Sequence, residues 1–199
     1  FNKIIENDSA DVQNNSVCTN VANAINMVLY SNIFHHFQGD ILEHLNKGWD
    51  LMIAHPPCTY LSNAGARFLY PKGKLNEDRY KLGLKAKEFF MSLYNAPINK
   101  ICVENPISSR IFALPKHTQT IQPYEYGHPF SKNTRLWLKN LPKLKPTDII
   151  QKYKPLLPSN SGGKKRGQSY HYSVIWGKPA SKFWKGIAQA MANQWGTDG

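Results

Sequence analysis

The residues best suited to chemistry are Cys58, which ends the triplet Pro56-Pro57-Cys58, and Glu104, which opens Glu104-Asn105-Pro106. A thiolate beside a carboxyl group suits attack on a conjugated base. In cytosine the sulfur can add at C6, which turns C5 into a nucleophile, while the acid stabilises the charge that develops at N3. Pro56 and Pro57 stiffen the loop and lower the cost of bringing the sulfur to its attack geometry. Asn105 could orient Glu104 or bond loop backbone. Each triplet also has a plainer reading: Pro-Pro-Cys as a turn with a buried thiol, and Glu-Asn-Pro as an ordinary strand exit.

What favours chemistry is the set of elements that would position the two triplets. Asp50 to Ala54 is a short apolar run that stops at His55-Pro56-Pro57, as a buried strand ending in a rigid loop would. A helix is expected from about Asn76 to Tyr94, with Leu82, Ala86, Phe89, Phe90 and Leu93 on one face. Lys100 to Val103 is a second apolar run and stops at Glu104. Strand, helix and strand with this crossover make a βαβ unit with parallel strands. Loops at the carboxyl ends of neighbouring parallel strands converge on one crevice, so Cys58 and Glu104 are expected to meet. The fold class that follows is α/β, a three-layer sandwich with a mostly parallel sheet.

The flanking sequence is less regular. Residues 1–32 form an atypical N-terminal segment, polar and without period up to Ser16, then helical in spacing at Val21, Ala24, Ile25, Val28 and Leu29. Ile33 to Phe37 reads as a strand, and Asp40 as a helix N-cap with Glu43 three residues on. Gln119 to Tyr126 and Thr134 to Leu138 read as strands. Residues 139–170 form a basic, Pro- and Lys-rich loop, and a last helix from Phe183 carries Phe183, Ile187, Met191 and Trp195 at four-residue steps.

With 199 residues, 41% of them hydrophobic and 19% charged, the chain is expected to form one globular domain. The stretch from Val21 to Phe37 is broken by Asn23, Asn26 and Ser31, so no membrane span or signal peptide is read and a cytoplasmic address is expected. Cys18, Cys58 and Cys102 show no CxxC spacing, which argues against a metal knuckle and a disulfide framework. The formal charge of +12 points to a polyanionic partner, because each phosphate neutralised releases a condensed counterion. Lys132, Arg135, Lys139, Lys143, Lys164, Lys165 and Arg166 are the expected DNA contacts. His55 could tune Cys58 or simply pack, whereas His117, His128 and His171 read as surface or satisfied histidines.

The motifs resemble those of the DNA cytosine-C5 methyltransferases. The run from Asp50 through Pro56-Pro57-Cys58 to Ser62 is similar to their Asp-led strand entering Gly-Gly-Pro-Pro-Cys-Gln-x-Phe-Ser. Val103-Glu104-Asn105 resembles their Glu-Asn-Val, and Gly39-Asp40-Ile41 their Gly-Asp-Ile. Gln122-Pro123-Tyr124, Leu136-Trp137-Leu138 and the run Ile187 to Trp195 extend the likeness to compact phage-encoded relatives. The resemblance implies a Rossmann-like methyltransferase fold and methyl transfer from S-adenosylmethionine to C5 of cytosine. Cys58 would be the nucleophile in the Pro57-Cys58 motif, Glu104 the acid at N3 beside Asn105, and Asp40, Ile41 and Pro56 would line the cofactor pocket.

The departures also carry implications. No glycine precedes Gly39, so the glycine loop that cradles the cofactor's methionine end has no counterpart here. The expected fold is therefore incomplete at its N-terminus, and binding of S-adenosylmethionine by this chain alone is expected to be weak. Residues 139–170 stand where the family has a target-recognition domain. The alternative is a non-catalytic module of methyltransferase descent that grips DNA or a nucleotide. A cysteine hydrolase using His55 or His128 lacks an orienting third group.

Overall fold

β1 (Ile4–Asp8), β2 (Leu51–His55) and β3 (Lys100–Pro106) run side by side and parallel in a computed structural model that describes residues 4–8, 39–128, 132–150 and 184–196. β5 (Thr134–Lys139) pairs with β3 in the antiparallel sense, and the strand order is β1-β2-β3-β5-β4, with β4 at Gln119–Ile121. The protein is thus mixed α/β with a mixed, open sheet, and the expected mostly parallel sheet is met only in part. The expected helix at Val21 to Leu29, the strand at Ile33 to Phe37 and the Lys164-Lys165-Arg166 loop lie outside the described residues. Among the described residues no helix is long and apolar enough to cross a membrane.

Two strands differ from the sequence reading for local reasons. β3 does not stop at Glu104 but continues through Asn105 and Pro106, because β5 supplies partners: Glu104 faces Leu136, Asn105 faces Arg135 and Pro106 faces Thr134. Pro106, which has no N–H to donate, then ends it. The expected strand from Gln119 to Tyr126 is cut to three residues, because Pro123 opens a 3-10 turn over Pro123–Glu125. There the Gln122 backbone N–H donates to Glu125 Oε2 at 2.7 Å and closes a capping box.

β1 was not legible in the sequence. Its register pairs Ile4 with Leu51 and Asp8 with His55, so a polar segment without period forms a full parallel neighbour of β2.

By its contacts the chain divides into two compact units. The first holds the described residues 4–8, 39–120 and 133–143; the second holds 121–128, 132, 144–150 and 184–196. In the first unit, α1 (Asn63–Ala66) is a single turn and α2 (Glu77–Tyr94) the long crossover helix. Asn76 caps α2 by accepting from the Arg79 backbone N–H at 3.0 Å, and Glu77 and Asp78 suit the positive end of the helix dipole.

The buried face of α2 carries Gly83, Phe90 and Leu93, while Leu82, expected to face inward, is 42% exposed. Phe90 and Leu93 pack on Met52, Ala54, Ile101, Val103 and Trp137. The Phe90 and Trp137 rings meet edge-on at 5.0 Å, and Trp137 Nε1 donates to the Pro115 carbonyl at 2.8 Å. The alternate residues Leu51, Ile53, Cys102 and Leu136 are buried too, so β2 and β3 are covered on both faces, as their continuous apolar runs require.

The second unit is organised by α3 (Lys185–Trp195), whose Ile187, Met191 and Trp195 are buried as the four-residue stripe predicts. Its Gln194 side chain exchanges two 2.8 Å hydrogen bonds with the Lys145 backbone. His128 Nε2 accepts from the Gly186 N–H at 2.9 Å, so His128 is the satisfied histidine the sequence suggests.

Candidate active site

Pro56 is buried where β2 ends, Pro57 is exposed and Cys58 is half-buried in the following loop. That loop folds back on itself, with the Ser62 N–H donating to the Cys58 carbonyl at 2.8 Å. Ser62 then caps α1 by accepting from the Gly65 N–H at 3.2 Å. The loop is also stitched to the exit of β3. Asn63 N–H donates to the Ile107 carbonyl at 2.7 Å, Ser109 N–H donates to the Leu61 carbonyl at 2.7 Å, and Ser62 bridges Ser108. These backbone bonds join the Cys58 loop to the segment leaving Glu104-Asn105-Pro106, the convergence expected of two adjacent parallel strands.

Arg79 anchors the same loop from α2. Its Nη2 donates to the Thr59 carbonyl at 3.1 Å and the Gly65 carbonyl at 3.4 Å, and its guanidinium lies 5.0 Å from the Tyr60 ring centre. A planar, always-charged fork suits this double role better than lysine would. Gly65 is required here, because a Cβ at that position would overlap the Thr59 carbonyl.

Glu104 lies on the sheet face of Cys102, and there it meets His55. His55 Nδ1 is 3.2 Å from Glu104 Oε2, with the two side chains only 11% and 13% exposed. His55 thus contacts the carboxyl that the sequence pairs with Cys58. Cys102, two residues before Glu104 on β3 and on the same face of the sheet, is fully buried, and its thiol is pushed well above the usual range by burial and then by the Glu104 charge. It is a packing thiol rather than a nucleophile. Neither Cys58 nor Cys102 is in a disulfide.

Asn105 does not orient Glu104. Successive strand residues point to opposite faces, so Asn105 turns toward the face carrying Ile101 and Val103. It is 0% exposed, and neither its Nδ2 nor its Oδ1 has a hydrogen-bond partner among the described residues.

The expected DNA contacts separate. Arg135 faces Asn105 across the β3–β5 ladder, at the carboxyl end of β3, and its Nη1 donates to Ser108 Oγ at 3.4 Å. Because β5 is antiparallel, Lys139 faces Ile101 at the other end, roughly 13 Å along the strand. Its Nζ donates to the Ala96 carbonyl at 3.0 Å. Lys143 is exposed, Lys132 is half-buried in the second unit, and Lys164, Lys165 and Arg166 lie outside the described residues.

Arg110, Lys116 and His117 join Arg135 around a cavity that sequence spacing did not suggest. Burial, then Arg135, then Lys116, hold the His117 imidazole below its ordinary value. The signal that could have found this cluster is the pairing partner of Arg135, which sequence alone does not supply.

On the side expected to meet a cofactor, Asp40 is exposed and its Oδ1 accepts from the Leu42 N–H at 2.9 Å, capping the turn Ile41–His44. Ile41 packs against the core that includes Leu45 and Met52.

Scanned against protein-family models the chain matches none, and no curated protein matches it.

Proposed function

We propose that this chain transfers a methyl group to C5 of cytosine in DNA through a covalent bond between Cys58 and C6, on a Rossmann-like three-layer fold. One observation carries the reading: the Cys58 loop and the Glu104 strand exit are joined by backbone hydrogen bonds at the carboxyl ends of two adjacent parallel strands, with His55 against the Glu104 carboxyl.

The residues divide the work. Sulfur of Cys58 bonds to C6 as Glu104 holds a proton at N3, so electron density from the C5–C6 double bond becomes available at C5. S-adenosylmethionine, when bound, supplies the methyl electrophile, with Asp40, Ile41 and Pro56 on its adenosine side. Loss of the C5 proton to solvent then restores the ring double bond, expels the Cys58 thiolate and returns the N3 proton to Glu104. His55 positions Glu104, Arg79 holds the loop that carries the sulfur, and Pro56 and Pro57 limit its motion. Arg135 holds the strand that brings the base.

A second reading, a DNA- or nucleotide-binding module without turnover, is favoured by the lack of glycine before Gly39. One experiment separates the two. An oligonucleotide carrying 5-fluorocytosine, incubated with the chain and saturating S-adenosylmethionine, is expected to form a stable adduct, because fluorine cannot leave C5 as a proton does. Intact mass spectrometry should place it on Cys58. Cys58→Ala should abolish it, Glu104→Gln and His55→Asn should slow it, and Cys102→Ala should leave it. Absence of any adduct, or an adduct on Cys102, would replace the catalytic reading with the binding one.

A further inference from the structure

The loop that leaves β3 and the start of β5 form an open surface cavity of about 250 Å³ lined by Ser108, Ser109, Arg110, Lys116, His117 and Arg135 among others. Its lining contains three permanently cationic side chains and two hydroxyls, and no carboxylate. Arg110 and Lys116 are exposed, and no ion pair to either is present among the described residues. Like charges gathered in one concavity repel one another and focus a positive potential on it, which an anion relieves. The hydroxyls of Ser108 and Ser109 add neutral donors, and a guanidinium adds a planar fork suited to phosphate oxygens.

The cavity is also placed next to the candidate active site within the same unit. Ser108 bridges Ser62, the Ser109 N–H donates to Leu61, and Arg135 faces Asn105 in the β3–β5 register. One wall of the cavity is therefore the segment stitched to the Cys58 loop. At the other end of the β3–β5 ladder Lys139 instead donates to the Ala96 carbonyl.

We propose that this cavity binds a backbone phosphodiester of the DNA strand whose base reaches Cys58, with Arg110 and Lys116 as its two main charge contacts. The assignment of the base rests on the proposed function; the binding of the phosphodiester does not. Ser108 and Ser109 hydrogen-bond its non-bridging oxygens, and Arg135 closes the inner side. His117 completes the wall, its Nε2 held 3.0 Å from Thr120 Oγ1.

Fluorescence anisotropy of the full chain with a labelled single-stranded deoxyoligonucleotide, titrated without cofactor across KCl concentrations, tests this. Each cation that contacts a phosphate of a single strand steepens the fall of log affinity with log salt by about 0.7, and its removal takes that share away. Arg110→Gln/Lys116→Gln should therefore flatten the slope by about 1.4 and weaken binding about 10-fold or more at fixed salt. The charge-matched Lys81→Gln/Lys85→Gln, on the exposed side of α2, should leave the slope near that of the parent. Equal losses from both doubles would overturn the proposal, leaving only diffuse charge attraction. Deoxycytidine 5′-monophosphate is the second arm: if it binds as tightly as the oligonucleotide, the site is one for mononucleotides and the DNA assignment falls.

Inorganic phosphate titrated into the unsubstituted chain gives a readout that no substitution can confound. Bound phosphate should raise the His117 pKa seen by NMR, and an unmoved His117 at saturating phosphate counts against the site. Since binding is read without methyl transfer, failure of the Cys58 adduct and failure of this pocket are separate results.

Discussion

Gly83→Ala should destabilise the protein, although alanine is the better helix former. Gly83 lies on the buried face of α2, and the three atoms nearest to a Cβ built there all belong to the Phe112 ring, the farthest of them, Cε2, at 2.9 Å. The ring cannot easily retreat. Phe112 is 2% exposed, belongs to the main core and stacks on Tyr80 with centroids 5.9 Å apart. Forcing an extra methyl into such a site costs about 1–3 kcal/mol. Replacing a mid-helix glycine by alanine returns about 1 kcal/mol. With the ring held on both sides the upper part of the first range applies, leaving a net loss of about 1–2 kcal/mol. For a chain of this size each kcal/mol moves the melting midpoint by about 2–4 °C.

Phe112 also follows Arg110 by two residues, so a displaced ring moves one wall of the basic cavity. Urea denaturation with the m-value held as a check measures the loss. Phe112→Leu should make room, so the double variant should lose less than the sum of the two singles. An unchanged or raised midpoint for Gly83→Ala, or strict additivity in the double, would refute the close approach of α2 to this loop.

Acid should weaken the fold over the histidine range. His117 is held below its ordinary value of 6.5 by burial and then by Arg135 and Lys116, and His128 is held below it by burial, with Asp148 opposing. The unfolded chain takes up these protons first, so their contribution is present above about pH 6.5 and lost as pH falls through the lowered values. Denaturation midpoints between pH 7.5 and pH 5 should decline, and less so in Lys116→Gln; a flat profile for the unsubstituted chain refutes this. Calorimetry should find S-adenosylmethionine bound at about 1 mM or weaker, about −4 kcal/mol. Low-micromolar binding would show that the methionine end has a cradle without glycine.

The sequence alone determined what depends on local chemistry. Pro56-Pro57 had to end a strand, a helix had to run from about Asn76 to Tyr94, and the stripe Ile187, Met191 and Trp195 had to face inward, because these outcomes follow from fixed φ and helical period. The two apolar runs before His55 and Glu104 likewise required burial on both faces, so β2 and β3 and the meeting of their exits were legible. β1 was not, since Glu6, Asn7 and Asp8 show no strand pattern and take their ladder partners from β2, which is distant in the chain.

The direction of β5 was equally hidden, and it decides which basic residues belong together. Arg135 and Lys139 lie four residues apart with nothing in sequence to rank them, yet antiparallel pairing sends one to the Glu104 end of β3 and the other to its far end. The contact of His55 with Glu104 and the joining of Arg110, Lys116 and His117 to Arg135 arise in the same way. Each depends on which strand edge lies beside which, and that is settled by packing across the whole sheet, where hydrogen-bond partners come from residues distant in the chain.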